Sequence, residues 1–258
     1  MPDLVKAVVL GIIQGLTEFL PVSSSGHLAI VHEPLDFRTN QLLFDVFLHV
    51  GTLVPVVIVF RRDIASLLTT RRRWLPLLVA GTVPAVIVGA LLHDRIEAVA
   101  EHVACVGALL IVNGLMLFAG SRLGALHRRQ AAGWLHAAAV GVAQAVAILP
   151  GISRSGSTIS TGLATGLDRE DAARFSFLLA IPAILLAMAY ELWKAWGGSE
   201  AVEAGMWAPI AAGTVVSMIV GYGALRALLA VVRRHRLVYF GWYCIAAGAA
   251  VLIYHLAF

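Results

Sequence analysis

The chain has 258 residues, 60% of them hydrophobic and only 13% charged, with a mean hydropathy of +0.87. Soluble domains are about one quarter charged, so most of this surface faces something other than water and soluble classes are excluded. The net charge of +4 is spread over short arginine-bearing segments between apolar stretches, which reads as membrane topology and not as a nucleic-acid surface.

In chain order, the first apolar stretch covers residues 4–31. Its run from Ala7 to Ile13 is too short for a spanning helix, and Gln14 and Glu18 follow at once without an Ala-x-Ala site, so it is not a cleavable signal. Spanning helices are predicted at 42–60, 75–92, 103–120, 174–194, 207–229 and 238–257. The segment 61–73 carries Arg61, Arg62, Arg71, Arg72 and Arg73; 121–133 carries Arg122, Arg128 and Arg129; 226–236 carries Arg226, Arg233, Arg234 and Arg236. These are expected on the cytoplasmic side. The acidic segments 93–102 (Asp94, Glu97, Glu101) and 195–206 (Glu200, Glu203), and the segment with Glu33 and Asp36, are expected outside. Segment 166–174 mixes Asp168, Glu170 and Asp171 with Arg169 and Arg174, so its charge does not fix its side, and its acids are expected to cap helix 174–194. Trp193, Trp196 and Trp207 suit a membrane interface, and Cys105 and Cys244 lie in apolar surroundings that suggest neither a disulfide nor a metal site.

Two apolar stretches are interrupted by polar residues: 4–31 and 134–166. The chain is inside before the second stretch and outside after helix 174–194, so 134–166 must cross an even number of times. Two spans need about 40 residues, more than the stretch provides, and re-entry is the expected solution. The same count makes 4–31 re-entrant and places both termini outside. The stretches also resemble each other. Gly11-Ile-Ile-Gln14 recurs as Gly141-Val-Ala-Gln144, and Ser23-Ser24-Ser25-Gly26 as Ser153-Arg154-Ser155-Gly156, both at an offset of 130; Gly81–Gly89 recurs as Gly213–Gly221 at 132. The predicted fold is therefore an all-α polytopic membrane protein. A single domain, 1–258, holds two repeats of opposite orientation, about 1–120 and 134–258, each with three spans and one re-entrant segment whose tips meet near the midplane.

The tips hold the chemistry. Non-helical backbone inside a membrane requires burial in protein or access to water. Pro21 and Gly26 bracket one break; Pro150, Gly151 and Gly156 bracket the other. A loop feeding a half-helix offers N–H donors and a positive dipole end to an anion. Arg154 adds a permanent charge shaped for phosphate oxygens. Glu18 shares a helical face with Gln14 and can serve as base, proton acceptor or cation ligand. A serine nucleophile requires a neighbouring base, for which Glu18 and His27 are the nearby choices in sequence; His27 can also be the nucleophile or the acid. His49 reads as a packing residue more readily than a site residue.

Gln14-x-x-x-Glu18 followed by Pro21-Val-Ser-Ser-Ser-Gly-His27, with Pro150-Gly-Ile-Ser-Arg-Ser-Gly-Ser-Thr158, resembles the undecaprenyl-diphosphate phosphatase family of the bacitracin-resistance type. Phe44-Asp45-Val46, His49-Val50-Gly51-Thr52 and Ala173-Arg174-Phe175-Ser176-Phe177 extend the resemblance over essentially the whole chain. It implies an enzyme of the bacterial cytoplasmic membrane that removes the terminal phosphate of a C55 polyprenyl diphosphate and regenerates the carrier for peptidoglycan synthesis. It also implies dependence on a divalent cation, Mg2+ or Ca2+, with Glu18 as a metal ligand. Carried over, it gives catalytic roles to Glu18, Ser23, Ser24, His27 and Arg154. Substrate binding falls to Gln14, Ser25, Gly26, Ser153, Ser155 and Thr158. The family's first acidic position is Gln14 here, which weakens any scheme needing two carboxylates there. Ser24 is the preferred nucleophile and His27 the alternative. The expected partners are the lipid substrate and the bilayer, with homo-oligomerisation left open. A second class of function, translocation of polyprenyl phosphate, would use the same arginine and half-helix ends without a nucleophile.

Overall fold

A computed structural model describes residues 3–35, 41–124, 131–197, 204–234 and 236–257. Asp36, Arg128, Arg129, Glu200 and Glu203 lie outside the described residues, as do the side chains of Glu33, Glu97 and Trp196. Among the described residues the chain forms ten α-helices. They are α1 (Asp3–Phe19), α2 (Ser24–Leu35), α3 (Gln41–Ser66), α4 (Trp74–Glu101), α5 (Val103–Leu123), α6 (Trp134–Val146), α7 (Arg154–Ala164), α8 (Arg169–Gly197), α9 (Trp207–Arg233) and α10 (Val238–Ala257). One turn of 3₁₀ helix at Ala204–Met206 precedes α9.

Among the described residues six helices are long and apolar enough to cross a membrane: Leu43–Ser66, Trp74–Ile96, Val103–Leu123, Arg169–Tyr190, Trp207–Arg233 and Val238–Ala257. They coincide with the six expected spans, but most run further at their ends. Helix α3 continues through Arg61 and Arg62 to Ser66, and α8 begins at Arg169, five residues before the apolar run. A helix does not stop where hydropathy stops, because charged side chains extend into water while the backbone stays bonded. Asp168 Oδ1 accepts the Asp171 N–H at 2.9 Å and so caps this earlier start.

The helices meet through small residues, as expected where lipid supplies no hydrophobic drive and close contact must do the work. Helix α1 lies on α9, where a Cβ on Gly11 would come within 2.6 Å of the Gly213 carbonyl oxygen. Helix α6 lies on α4, where a Cβ on Gly141 would come within 2.7 Å of the Gly81 carbonyl oxygen. The glycines that recur in sequence are thus each other's partners in space, twice over. Helices α5 and α10 pair in the same way through Gly107 against Gly248 and Gly114 against Gly241. The largest buried cluster among the described residues gathers Phe19, Phe60, Phe175, Phe177 and Leu225.

Segment 166–174, whose charge was indecisive, is placed by ion pairs. Arg174 meets Asp63 at 3.3 Å and Glu170 at 3.2 Å; Arg71 meets Asp171 at 3.3 Å; Arg233 meets Glu170 at 3.2 Å. It therefore shares one end of the molecule with the arginine segments after α3 and α9. Both ends of the α6–α7 pair point there too. Ala137 of α6 sits against Gly81 near the start of α4, and Leu163 of α7 sits against Gly124 at the end of α5. The α1–α2 pair opens toward the opposite end, where Ala7, Leu10, Leu28 and Ile210 form a second cluster with Leu35 and Met206 packed against it.

Candidate active site

Helix α1 ends at Phe19 and α2 begins at Ser24; α6 ends at Val146 and α7 begins at Arg154. The two breaks are stitched together by hydrogen bonds. Ser23 adopts φ 69°, a conformation rarely taken by residues other than glycine, and its Oγ accepts the Gly151 N–H at 3.1 Å and the Gly26 N–H at 3.3 Å. Ser155 Oγ donates to the Phe19 carbonyl at 2.9 Å. Gly26 lies so close to Gly151 that a Cβ would approach its backbone to 3.0 Å. Gly151 itself has φ +104°, where glycine pays no steric penalty.

One further residue, outside both polar motifs, locks this junction. Asn113, buried in the middle of α5, donates from Nδ2 to the Pro21 carbonyl at 3.0 Å and accepts the Ser153 N–H on Oδ1 at 3.0 Å. Its signal was available: an asparagine inside an apolar span is costly unless it bonds to a neighbour.

Glu18 is the hub of the polar contacts. It is buried at the end of α1. Ser24 Oγ donates to Glu18 Oε2 at 2.7 Å, and Gln14 Nε2 donates to the same oxygen at 3.0 Å. Arg154 pairs with Glu18 Oε1 across the junction. His49 Nε2 stands 3.5 Å from Glu18 Oε2, and His49 Nδ1 lies 2.7 Å from the Asp45 carbonyl. A cavity of about 350 Å³ opens over this group, lined by Glu18, Ser23, Ser24, Ser25, Ser153, Arg154 and, from α3, Asp45 and His49. The N-terminal ends of α2 and α7 both abut it, which adds two positive dipole ends to the Arg154 charge.

The structure brings Gln14, Glu18, Ser23, Ser24, Ser25, Ser153 and Arg154 together. It does not bring His27 to Glu18: its Nδ1 lies 2.8 Å from the Ser23 carbonyl and its Nε2 lies 2.8 Å from the Tyr243 hydroxyl, with the two rings stacked. His49 takes the place beside the carboxylate that sequence proximity suggested for His27. Ser153 caps α7 by accepting the Gly156 N–H at 3.1 Å. Thr158 is buried and bonds to the Arg154 carbonyl at 2.7 Å, supporting the helix behind the arginine and not facing the cavity. Among the described residues no three His, Cys, Asp or Glu side chains gather as a metal cage.

A serine hydrogen-bonded to a carboxylate, with an arginine at the meeting point of two half-helices inside a polytopic bundle, makes a buried, anion-attracting site in a membrane-embedded protein. The family model described as "Bacitracin resistance protein BacA" matches residues 7–250, and the chain belongs to that family. It is 42% identical over 255 residues to a protein of Halothermothrix orenii called undecaprenyl-diphosphatase, covering 97% of this chain and 98% of the relative. It is 41% identical over 263 residues to one of the same name from Rhodopirellula baltica, covering 99% and 100%. A third, from Syntrophotalea carbinolica, is 43% identical over 256 residues, covering 94% and 95%.

Proposed function

We infer that the chain hydrolyses undecaprenyl diphosphate to undecaprenyl phosphate and inorganic phosphate, recycling the lipid carrier of peptidoglycan synthesis in the bacterial cytoplasmic membrane. The observation that carries this reading is the 2.7 Å hydrogen bond from Ser24 Oγ to Glu18 Oε2, with Arg154 on the other carboxylate oxygen. Translocation of a phosphorylated lipid needs an anion site but no serine on a base. The relatives carry an enzyme's name, and hydrolysis replaces translocation as the reading.

The terminal phosphoryl group sits over Ser24. Glu18 takes the Ser24 proton as Oγ attacks phosphorus; the bridging P–O bond breaks and its electron pair leaves on polyprenyl monophosphate. Arg154 and the N-terminal ends of α2 and α7 hold the charge on the equatorial oxygens. The guanidinium has five donors, so it can bind phosphate while still touching Glu18. Water then attacks the phosphoseryl phosphorus, Glu18 returns the proton to the departing Oγ, and orthophosphate is released. His49 supports Glu18 from α3.

Two carboxylates, Glu18 and Asp45, line the cavity. That number suits Mg2+ held through one or two carboxylates together with substrate phosphates, so Glu18 and Asp45, whose Oδ1 also meets His32 Nε2 at 3.1 Å, would be the residues to hold the cation the family resemblance implies. Such a cation, when bound, neutralises charge on the diphosphate oxygens.

The breaks are read as the tips of two re-entrant hairpins, α1–α2 from outside and α6–α7 from the cytoplasm. The two halves are then inverted repeats of one domain with both termini external. The shared end of the arginine segments and the reciprocal glycine packing support this arrangement.

The test is phosphate release from C55 polyprenyl diphosphate by purified protein, with and without a chelator. Ser24→Ala is expected to lose at least ~10³-fold in kcat, His27→Ala less than about tenfold, and the chelator to abolish turnover. Near-normal release by Ser24→Ala would overturn the assignment of the nucleophile.

A further inference from the structure

A second cavity of about 320 Å³ adjoins the first and shares Ala147, Ile148, Arg154, Ala183 and Ala187 with it. It lies between α4, α6 and α8, and its wall is apolar apart from Gln144, Arg154, His93 and Tyr190. His93 and Tyr190 pack edge-to-face with ring centroids 5.4 Å apart.

Gln144 is the anomaly in this wall. It is 2% exposed, yet both its Oε1 and its Nε2 lack a hydrogen-bond partner, and the Arg154 Nη1 that shares the cavity is likewise buried and unpartnered. Buried donors are costly to leave unmade. The counterpart residue shows what is different. Gln14 spends its Nε2 on Glu18, four residues along its helix. Four residues after Gln144 stands Ile148, which offers nothing to bond. Two residues that line this apolar chamber, one of them cationic, therefore each hold a buried donor without a partner, next to the cavity over Ser24.

We propose that Gln144 and the Arg154 Nη1 form a separate subsite for the phosphate that stays on the lipid, with the first isoprene units lying along the apolar wall of the second cavity. The inference rests on the phosphatase reading and adds the assignment of the two phosphates to two chambers, with Arg154 at the partition. The terminal phosphate occupies the serine chamber; the inner phosphate occupies the glutamine chamber; the tail continues toward lipid past Val86 and Leu186, both exposed on the outer surface.

Product inhibition separates the two subsites, because the products are the two phosphates. Gln144→Met keeps the length of the side chain and removes its donors. Its KM for polyprenyl diphosphate and its inhibition constant for polyprenyl monophosphate are expected to rise about tenfold, the worth of one hydrogen bond to a charged group. Inhibition by inorganic phosphate should change less than about twofold. Unchanged inhibition by the monophosphate overturns the proposal, and so does an equal loss for both products. Should Gln144→Met fail to yield folded protein, Gln144→Glu supplies the same length with a repelling charge; wild-type inhibition by the monophosphate in that variant overturns the proposal equally. Absence of phosphate release by the wild type would instead sink the phosphatase reading itself.

Discussion

The two broken helices use one backbone plan and divide the chemistry unequally. At the offset of 130, Ser23 corresponds to Ser153, and both cap the following half-helix by accepting an N–H three residues on, from Gly26 and Gly156. Gln14 corresponds to Gln144. Two of the differences bear directly on the cavity. Glu18 corresponds to Ile148, and Ser24, the first residue of α2, corresponds to Arg154, the first residue of α7. The proposed nucleophile and the arginine thus occupy equivalent positions at two facing helix N-termini. In the proposed mechanism, a symmetric anion cradle becomes a catalytic site by placing the reacting group on one side and the charge on the other.

Erasing that difference should have the largest effect. Arg154→Ser gives the second tip the first tip's residue. It removes the cation from the phosphoryl oxygens, a role worth ~10³–10⁵ in kcat where arginine clamps a transferring phosphoryl group. It also leaves Glu18 buried without its counter-charge, which costs about 3–5 kcal/mol. Arg154→Lys keeps the charge but loses the fork, so it should recover stability before it recovers rate. Single-turnover phosphate release and thermal melting in detergent read the two effects separately. Equal activity in Arg154→Ser and wild type would remove the arginine from the mechanism.

Asn113 ties the two tips together, and breaking it should rank next. Asn113→Leu leaves the Ser153 N–H buried and unpartnered, at about 1–3 kcal/mol, and leaves the Pro21 carbonyl with only the Cys244 thiol at 3.6 Å. A lower melting temperature is expected, together with a fall in kcat larger than any rise in KM, because the tips carry the serine and the arginine but the tail binds elsewhere. A stable variant with a normal kcat would show that the junction holds without this residue.

Much of this was legible in the sequence, and the gaps share a cause. The six spans follow from hydropathy, and the breaks from proline and glycine combined with clustered polar residues in otherwise apolar stretches. Glu18, Ser24 and Arg154 were visible because a membrane interior makes polar residues conspicuous. The direction of side chains was not visible. A helix bounded by lipid on one side and protein on the other is apolar all round, so its sequence period does not mark which face turns inward. That is why His27 was favoured over His49. Nearness in sequence placed His27 beside Glu18, while the fold turns it toward Tyr243 on α10 and brings His49 in from α3. Asn113 and Gln144 were missed as partners for the same reason, since what they face belongs to other helices. The helix ends were set short because arginine extends a helix beyond the apolar part.

The repeated glycines offer the finest test of the pairing between halves, with the smallest expected effects. Gly11→Ala and Gly141→Ala sit at matched positions and would each drive a methyl group into a facing backbone, at 2.6 Å from the Gly213 oxygen and 2.7 Å from the Gly81 oxygen. Neither obstacle is a flexible side chain, so the helices must separate slightly, at about 1–3 kcal/mol. Gly223→Ala is the internal comparison, since a Cβ there meets nothing within 4 Å and alanine favours a helix interior over glycine by about 0.5–1 kcal/mol. Melting temperature should therefore fall for the first two by similar amounts and hold or rise for the third. Equal falls in Gly11→Ala and Gly141→Ala would mean that α1 on α9 and α6 on α4 are one contact used twice. A fall in only one would mean that the halves share sequence at these positions without sharing the energetics of packing.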